Sequence, residues 1–438
     1  MKHRIVVLGA GYAGSYVAGN LARRLSAQDT EITVVNAEPD FVQRLRLHQL
    51  AAGQEIAAPR LADVFDGTGI RLRHARVTAV DPERQAVVLA HVDAADAADA
   101  ADAAFDDGEL GYDTLIYALG SHGADHGVPG VAEHAFDVSA RPSALRLRER
   151  LDSLDRRGEG GRVVVVGDGL TGIETATEIA ESRPGLAVTL VARGELAARL
   201  SAGARGHLRR ACDRLGVTVV EHTTVAAVEG ARVLCADGTA LASDATVWTA
   251  GFAVRPMAAD GGLEVTEEGR IVVDHTMRSV SNPNVYAVGD SAHAIGDNGR
   301  PLPMSCASAG YTGMRATAAI VGRLTGRTIA KTSMGYPGNH ISLGRRDGIL
   351  QPVDDEGQAK QTYVGGRKAA RIKSGILRMS LWANSHPTFL LPKRRRRLAA
   401  EALGPAVSAA TAVTATNPVS AATSVPVAPN ASADPAAA

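Results

Sequence analysis

The residues with the clearest chemical meaning are six glycines in two sets. Gly9, Gly11 and Gly14 stand at G-x-G-x-x-G spacing directly after the apolar run Ile5-Val6-Val7-Leu8. Gly167, Gly169 and Gly172 repeat that spacing after Arg162–Val166. In each set the first glycine permits a tight strand-to-helix turn. The second lets backbone approach a pyrophosphate, and the third lets the helix pack close to the sheet. The helix that follows turns its N-terminal amides toward the same phosphates. Such helices are expected over Ser15 to Arg24 and over Ile173–Glu181. One motif of this kind is a weak sign. Two, each set between a strand and a helix, point to two bound nucleotides.

The strand after each loop decides what meets the adenosine ribose. Glu31–Asn36 reads as the first of these strands. An acid usually ends it, because a carboxylate accepts from both ribose hydroxyls. This chain has Asn36, with Glu38 two residues on, so the site keeps one acceptor and is weakened. The matching strand of the second half, Ala187–Ala192, ends at Arg193. An acid there favours the free ribose of NADH, whereas an arginine can pair with the extra phosphate of NADPH. Arg193 is equally readable as a solvated loop residue.

These loops need long α/β units around them, and 438 residues are enough for two or three domains. Formal net charge is zero, so no global bias toward nucleic acid or acidic partners exists. Cys212, Cys235 and Cys306 are scattered without metal-ligand or C-x-x-C spacing, which argues for reduced thiols in a cytoplasmic protein and against a metal site. The N-terminus enters a strand within a few residues and carries no signal-peptide pattern. No apolar run is long enough to span a bilayer.

Between the two loops, Phe41–Ala52 reads as helix, carrying Arg44, Arg46 and His48. Arg71–Asp81 and Gln85–Val92 read as strands around a turn. The D-A-A repeat at Asp93–Ala104 reads as a solvated insertion. Tyr112–Ala118 is a strand ending in Leu119-Gly120, and Pro142–Leu154 is an amphipathic helix. After the second loop come short strands at Val217–Glu221, Val225–Val228 and Arg232–Leu234. Ala245–Thr249 follows, ending in Ala250-Gly251. Asn284–Asp290 is a buried strand closing in Gly-Asp, and a long helix covers Ser305–Leu324. From Lys331 a different region begins, with strands at Ile341–Leu350 and Gln361–Val364 around a turn at Asp354–Gly357. Its helix, Arg367–Ala383, carries Ile372, Ile376 and Met379 at i, i+4 and i+7. Glu401–Ala438 has little charge and little apolar bulk, which predicts disorder.

Two glycine loops followed by a late strand ending in Gly289-Asp290 resemble the two-dinucleotide-binding flavoproteins of the pyridine nucleotide-disulfide oxidoreductase superfamily. The resemblance covers about Lys2 to Arg327. Within the superfamily the chain is most similar to type II NADH dehydrogenases and related FAD-dependent NAD(P)H oxidoreductases. The resemblance implies an α/β fold with two Rossmann-like domains. The FAD domain is discontinuous, over 1–118 and 252–327, and the NAD(P)H domain spans 119–251. A small α+β region at 328–400 and the tail from 401 complete the chain. The first loop would hold FAD and the second NAD(P)H, while Asp290 would hydrogen-bond the ribityl chain. The implied cofactor set also includes Tyr12, Ala13, Val77, Gly120 and Gly251. Glu174 matches a family glutamate placed near nicotinamide and flavin, although a helix N-terminal acid is also favoured by the helix dipole alone.

Two departures narrow the chemistry. The redox cysteine pair of disulfide reductases is absent. The quinone-site pattern A-Q-x-A-x-Q would fall at Cys306–Tyr311, where neither glutamine occurs. The implied reaction is hydride transfer from NAD(P)H to FAD, then electron release to a quinone or another small acceptor. A reductase of a small redox protein such as ferredoxin is the alternative, and a non-catalytic NAD(P)H-binding flavoprotein is a third. Cys306 reads as a packed small residue, and His48 and His340 as structural.

Charge is uneven in one place. Between Gln358 and Ala400 lie eleven Lys or Arg and no Asp or Glu. A basic amphipathic helix followed by aromatics, over 367–397, suits peripheral contact with an anionic membrane, on its inner face. Packing on the FAD domain with solvated arginines is the competing expectation. No nucleic-acid motif accompanies the basic stretch, so no nucleic-acid partner is expected. A homodimer is the assembly expected for such a chain.

Overall fold

The computed structural model describes residues 1–92, 108–158, 160–328, 333–389 and 395–399. The D-A-A repeat and the tail beyond 400 lie outside the described residues. The first half begins with β1 (His3–Leu8), α1 (Tyr12–Arg24), β2 (Thr30–Asn36), α2 (Leu47–Ala51), β3 (Ile70–His74) and β4 (Thr114–Tyr117). Ile5, Val6, Val7 and Leu8 are all buried, as expected of a central parallel strand covered on both faces.

The second half carries α3 (Arg141–Arg157), β5 (Arg162–Val166), α4 (Leu170–Ser182) and β6 (Ala187–Val191). It continues through α5 (Ala202–Leu215), β7 (Thr218–Val220) and β8 (Ala245–Trp248). The chain then returns through β9 (Val285–Ala287) and α6 (Cys306–Thr325). The strand order is β9-β4-β1-β2-β3 in one sheet. In the other it is β7-β6-β5-β8, with Ala135–Phe136 at the edge. Both sheets are parallel throughout. The doubly wound α/β architecture read from the glycine loops is therefore present twice.

The two passages between the halves pair with each other. His122–Gly123 and Phe252–Ala253 form an antiparallel ribbon, and Trp248 Nε1 donates to Ala124 O at 2.7 Å. A second bridge is Arg183, buried where α4 ends. It donates to Ala52 O at 3.2 Å and pairs with Asp152 and Asp155 at 2.6 and 2.5 Å.

Three local expectations change. Phe41–Ala52 is not one helix. Phe41 N donates across to Pro59 O, which holds the first residues extended. Only a 3-10 turn at Arg44–Arg46 and the single-turn α2 follow. Arg71–Asp81 divides at Ala75, so that Ile70–His74 joins the first sheet while Arg76–Asp81 pairs antiparallel with Ala86–Ala90. Ile341–Leu350 is a hairpin, β10 (Gly338–Ser342) and β11 (Gly348–Pro352). It turns through Gly344 at φ +71, a left-handed backbone that glycine adopts without strain.

The hairpin and the final helix, α7 (Gly366–Ser385), rest on the second half. Asp347 accepts from His207 Nε2 at 2.8 Å and Arg214 Nη2 at 2.6 Å, and Gln351 Oε1 accepts from Ser201 Oγ at 2.8 Å. The last turns of α7 also reach the first half, where Leu381 packs against its core, and the chain beyond continues there. Arg396 bridges to Leu25, and Arg397 Nε donates to Asp29 at 2.7 Å.

Candidate active site

A cavity of about 1370 Å³ runs from the first glycine loop to the second. At its first end, Gly9 has φ +94, and a Cβ there would lie 2.5 Å from Ala118 O. Gly11, by contrast, faces open space, with nothing within 4 Å of an added Cβ. It caps α1 without a side-chain hydrogen bond, so the first-turn amides face the cavity unblocked. The second loop repeats the pattern. Gly167 has φ +112 and sits against Thr249 backbone, while Gly169 caps α4 and is open. Gly14 and Gly172 lie behind the loops, where a Cβ would strike Gly9 O and Gly167 O. These open cradles at two helix N-termini fit the diphosphates of FAD and NAD(P)H.

Tyr12, Ala13, Val77, Gly120 and Gly251 all line the cavity. Tyr12 packs edge-on against Phe41 at 5.2 Å. Asn36 also lines it, yet its side chain braces the loop. Oδ1 accepts from Ala10 N at 2.9 Å and Nδ2 donates to Glu38 O at 2.7 Å. Glu38 stands beside it in the wall.

Asp290 follows β9 and belongs to a network that joins three segments. Ser121 Oγ donates to its Oδ2 at 2.7 Å, and Arg44 lies 3.8 Å from the same oxygen. Arg44 also donates to Ser121 O at 2.6 Å and lies over the Phe252 ring at 4.9 Å. Met304, Ser305 and Cys306, where α6 begins, form the adjacent wall. Burial pushes the Cys306 thiol up to about 12, so it stays protonated.

Glu174 projects from the first turns of α4 and is buried. Its Oε1 accepts from Ser342 N at 2.7 Å and forms an ion pair with Lys373 Nζ. Lys373 also donates to His340 O at 2.8 Å. Burial draws the Lys373 ammonium down to about 7. Both residues line the cavity, as does His48, whose Nε2 has no hydrogen-bond partner among the described residues. Burial, with Lys373, Arg345 and Arg46 nearby, lowers His48 to about 3, so the ring is neutral. Arg193 lines the far end of the cavity, exposed beyond β6.

Lys373 was not foreseen. One signal was available: Ala369, Lys373 and Leu377 recur every four residues on the buried side of α7, so a lysine interrupts an apolar stripe. Its partner, 199 positions earlier, gives no local sign.

The model of the pyridine nucleotide-disulphide oxidoreductases matches residues 3–313. The chain belongs to this family. As a member it is an oxidoreductase working with FAD and NAD(P)H, and the resemblance read from the loops and Gly289-Asp290 is borne out. An NADH dehydrogenase-like protein of Mycobacterium tuberculosis is 28% identical over 85% of this chain and 92% of its own. A type II NADH:quinone oxidoreductase of Staphylococcus haemolyticus is 25% identical over 86% of this chain and 94% of its own. Among solved structures, the NDH2 of Plasmodium falciparum in complex with NADH superposes with a TM-score of 0.72. It is 14% identical, covering 90% of this chain and 98% of that one.

Proposed function

We propose that this family member oxidises NAD(P)H and delivers the electrons to a quinone that enters along α7. One observation carries the reading. The cavity that joins both glycine loops continues to Ile376, Leu377 and Ser380 of α7, and Ile376 is also exposed on the outer surface. An apolar acceptor thus has a greasy approach that ends beside buried polar groups. The quinone named in the staphylococcal relative supports this choice.

When bound, the nicotinamide and flavin supply hydride and electron transfer. The chain contributes position and protons. Amides of α1 and α4 hold the diphosphates. The Arg44–Ser121–Asp290 network fixes a hydroxylated chain beside β9. Lys373 and Glu174 hold a shared proton at the cavity wall, where a reduced acceptor oxygen needs one. The apolar wall keeps bulk water from that proton.

A membrane surface suits the same face. Ile372, Ile376, Met379 and Trp382 are exposed along α7, with Arg367, Arg371 and Arg378 beside them. No described helix is long and apolar enough to cross a membrane. Contact is therefore proposed as peripheral.

The test is anaerobic. NAD(P)H should bleach the bound flavin, and a short-chain menaquinone should restore the colour within the turnover time. Restoration by ferredoxin alone would transfer the protein to the ferredoxin-reductase class. Restoration by nothing would leave a nucleotide-binding flavoprotein. Co-sedimentation with anionic liposomes, lost in Met379→Glu, tests the membrane face. Equal sedimentation of the variant would remove it.

A further inference from the structure

A second cleft, of about 470 Å³, shares no lining residue with the nucleotide cavity. Its wall is built from two segments. Arg345 and Arg346 come from the turn between β10 and β11, and Arg367, Arg371, Ser374 and Arg378 come from α7. The α7 residues recur at i, i+4, i+7 and i+11, so they form one stripe along the helix. The exposed apolar stripe, Ile372, Ile376 and Met379, is offset from it by one residue, about 100° around the axis. The arginines therefore face a concave site of their own, beside the apolar ridge.

No carboxylate stands in this wall. Two acids border the turn, and both are engaged elsewhere. Glu181 of α4 accepts from Arg345 N at 2.5 Å and lies against Gly344, on the backbone side of the turn. Asp347 accepts from His207 and Arg214. The five guanidinium groups have no ion pair or side-chain hydrogen bond among the described residues, and all five are exposed. Local energetics do not favour this placement. Arg367 and Arg371 are like charges at i, i+4, which repel on a helix. Arg367 lies in the first turn of α7, where the helix dipole disfavours a cation, and no acid in that turn offsets it. A ligand with several negative charges relieves both costs.

The donor type narrows the ligand. Guanidinium forks engage phosphate oxygens in pairs. The cleft has the volume of a small-molecule site, more than one phosphate fills. Ala370 and Ser374 complete the lining, so it has no aromatic face for a base and no apolar slot for an acyl chain. The part recognised is the phosphates themselves.

We propose that the β10–β11 turn and α7 form a binding site for clustered phosphates, a chemistry shared by soluble oligophosphates and by lipid headgroups with more than one phosphate. The bound anion bridges Arg345 and Arg346 of the turn to Arg367 and Arg371 of the helix. The site is independent of the pyridine nucleotide and of the electron acceptor, so the oxidoreductase reading survives its failure.

The experiment uses the FAD-loaded full chain, saturated with NAD⁺, and calorimetric titration with sodium tripolyphosphate and with orthophosphate. Tripolyphosphate should bind tighter by about tenfold or more, and the advantage should shrink as salt is raised. Arg345→Gln and Arg371→Gln, one from each segment, should each weaken it several-fold, and the double variant more. Arg371→Lys, which keeps the charge and loses the fork, should also bind several-fold more weakly. Arg156→Gln, an exposed arginine of α3 outside the cleft, should bind as the wild type does. Without ligand, the double variant should melt no lower than the wild type, because like charges have been removed. Equal affinity for the two probes overturns the site. So does unchanged affinity in the double variant, which would place the anion at a glycine loop. A double variant that melts lower without ligand marks the arginines as structural and also overturns it. Phosphatidylcholine vesicles with and without cardiolipin identify the source. Sedimentation that needs cardiolipin and is displaced by tripolyphosphate marks a lipid headgroup. Any other pattern, with tripolyphosphate bound, marks a free oligophosphate.

Discussion

Lys373 and Glu174 form a buried ion pair that ties the last helix to the helix of the second glycine loop. The pair also holds Ser342 N and His340 O, so it secures β10 at the same point. Lys373→Met should therefore strand a buried carboxylate. We expect a loss of about 3 kcal/mol in urea unfolding at neutral pH, with the double variant carrying Glu174→Gln as well recovering most of it. An additive double variant would show that the two side chains do not depend on each other.

Gly9 and Gly11 should separate folding from cofactor binding. Gly9→Ala meets Ala118 O and a left-handed backbone, which costs on the order of 2 kcal/mol or more. Gly11→Ala meets nothing in the protein and only makes a poorer N-cap, so stability should fall by no more than about 1 kcal/mol. Its methyl would instead occupy the phosphate approach. Thermal melting of the flavin-free chains and flavin absorbance after reconstitution read the two effects. Normal flavin content in Gly11→Ala would contradict the cradle.

Glu178 sits one turn beyond Glu174 on α4. It accepts a hydrogen bond from Gln54 at Oε1, while Oε2 has no partner among the described residues. Burial raises its carboxyl to about 7. Folding then favours the protonated form. The stability it contributes is complete below the ordinary glutamate range and is lost as pH rises through 7. Glu178→Gln should flatten that slope and exceed the wild type at pH 8 by on the order of 2 kcal/mol. Parallel curves for the two proteins would refute it.

The cysteines should be inert in the native protein. Burial pushes Cys306 up to about 12 and Cys212 to about 11. Thiol alkylation at pH 8 should be slow until denaturant is added, and Cys306→Ser should retain NAD(P)H oxidation. Fast labelling of Cys306 would reopen thiol chemistry beside the cofactor.

Legibility followed the range of the interactions. Gly9, Gly11, Gly167 and Gly169 announce their turns because the constraint is local, and the strand before each is a plain apolar run. The family and its cofactors followed from those segments and from Gly289-Asp290. Tertiary competition hid the rest. Phe41 looked helical until Pro59 O claimed its amide. Leu343–Asp347 looked like mid-strand until the Gly344 turn reversed it. Asn36 read as a weak ribose acceptor, whereas its oxygen is bonded to Ala10 N. Arg44, noted only as a charge on a helix, joins Asp290 through Ser121.

The region after residue 333 grips both halves of the molecule. Asp347 and Gln351 hold the second, and Arg396 and Arg397 hold the first. Swinging one half away from the other would have to tear one of these attachments. The spacing between the two glycine loops is thus set when the chain folds. A cut between the two attachments would convert a rigid frame into an articulated one.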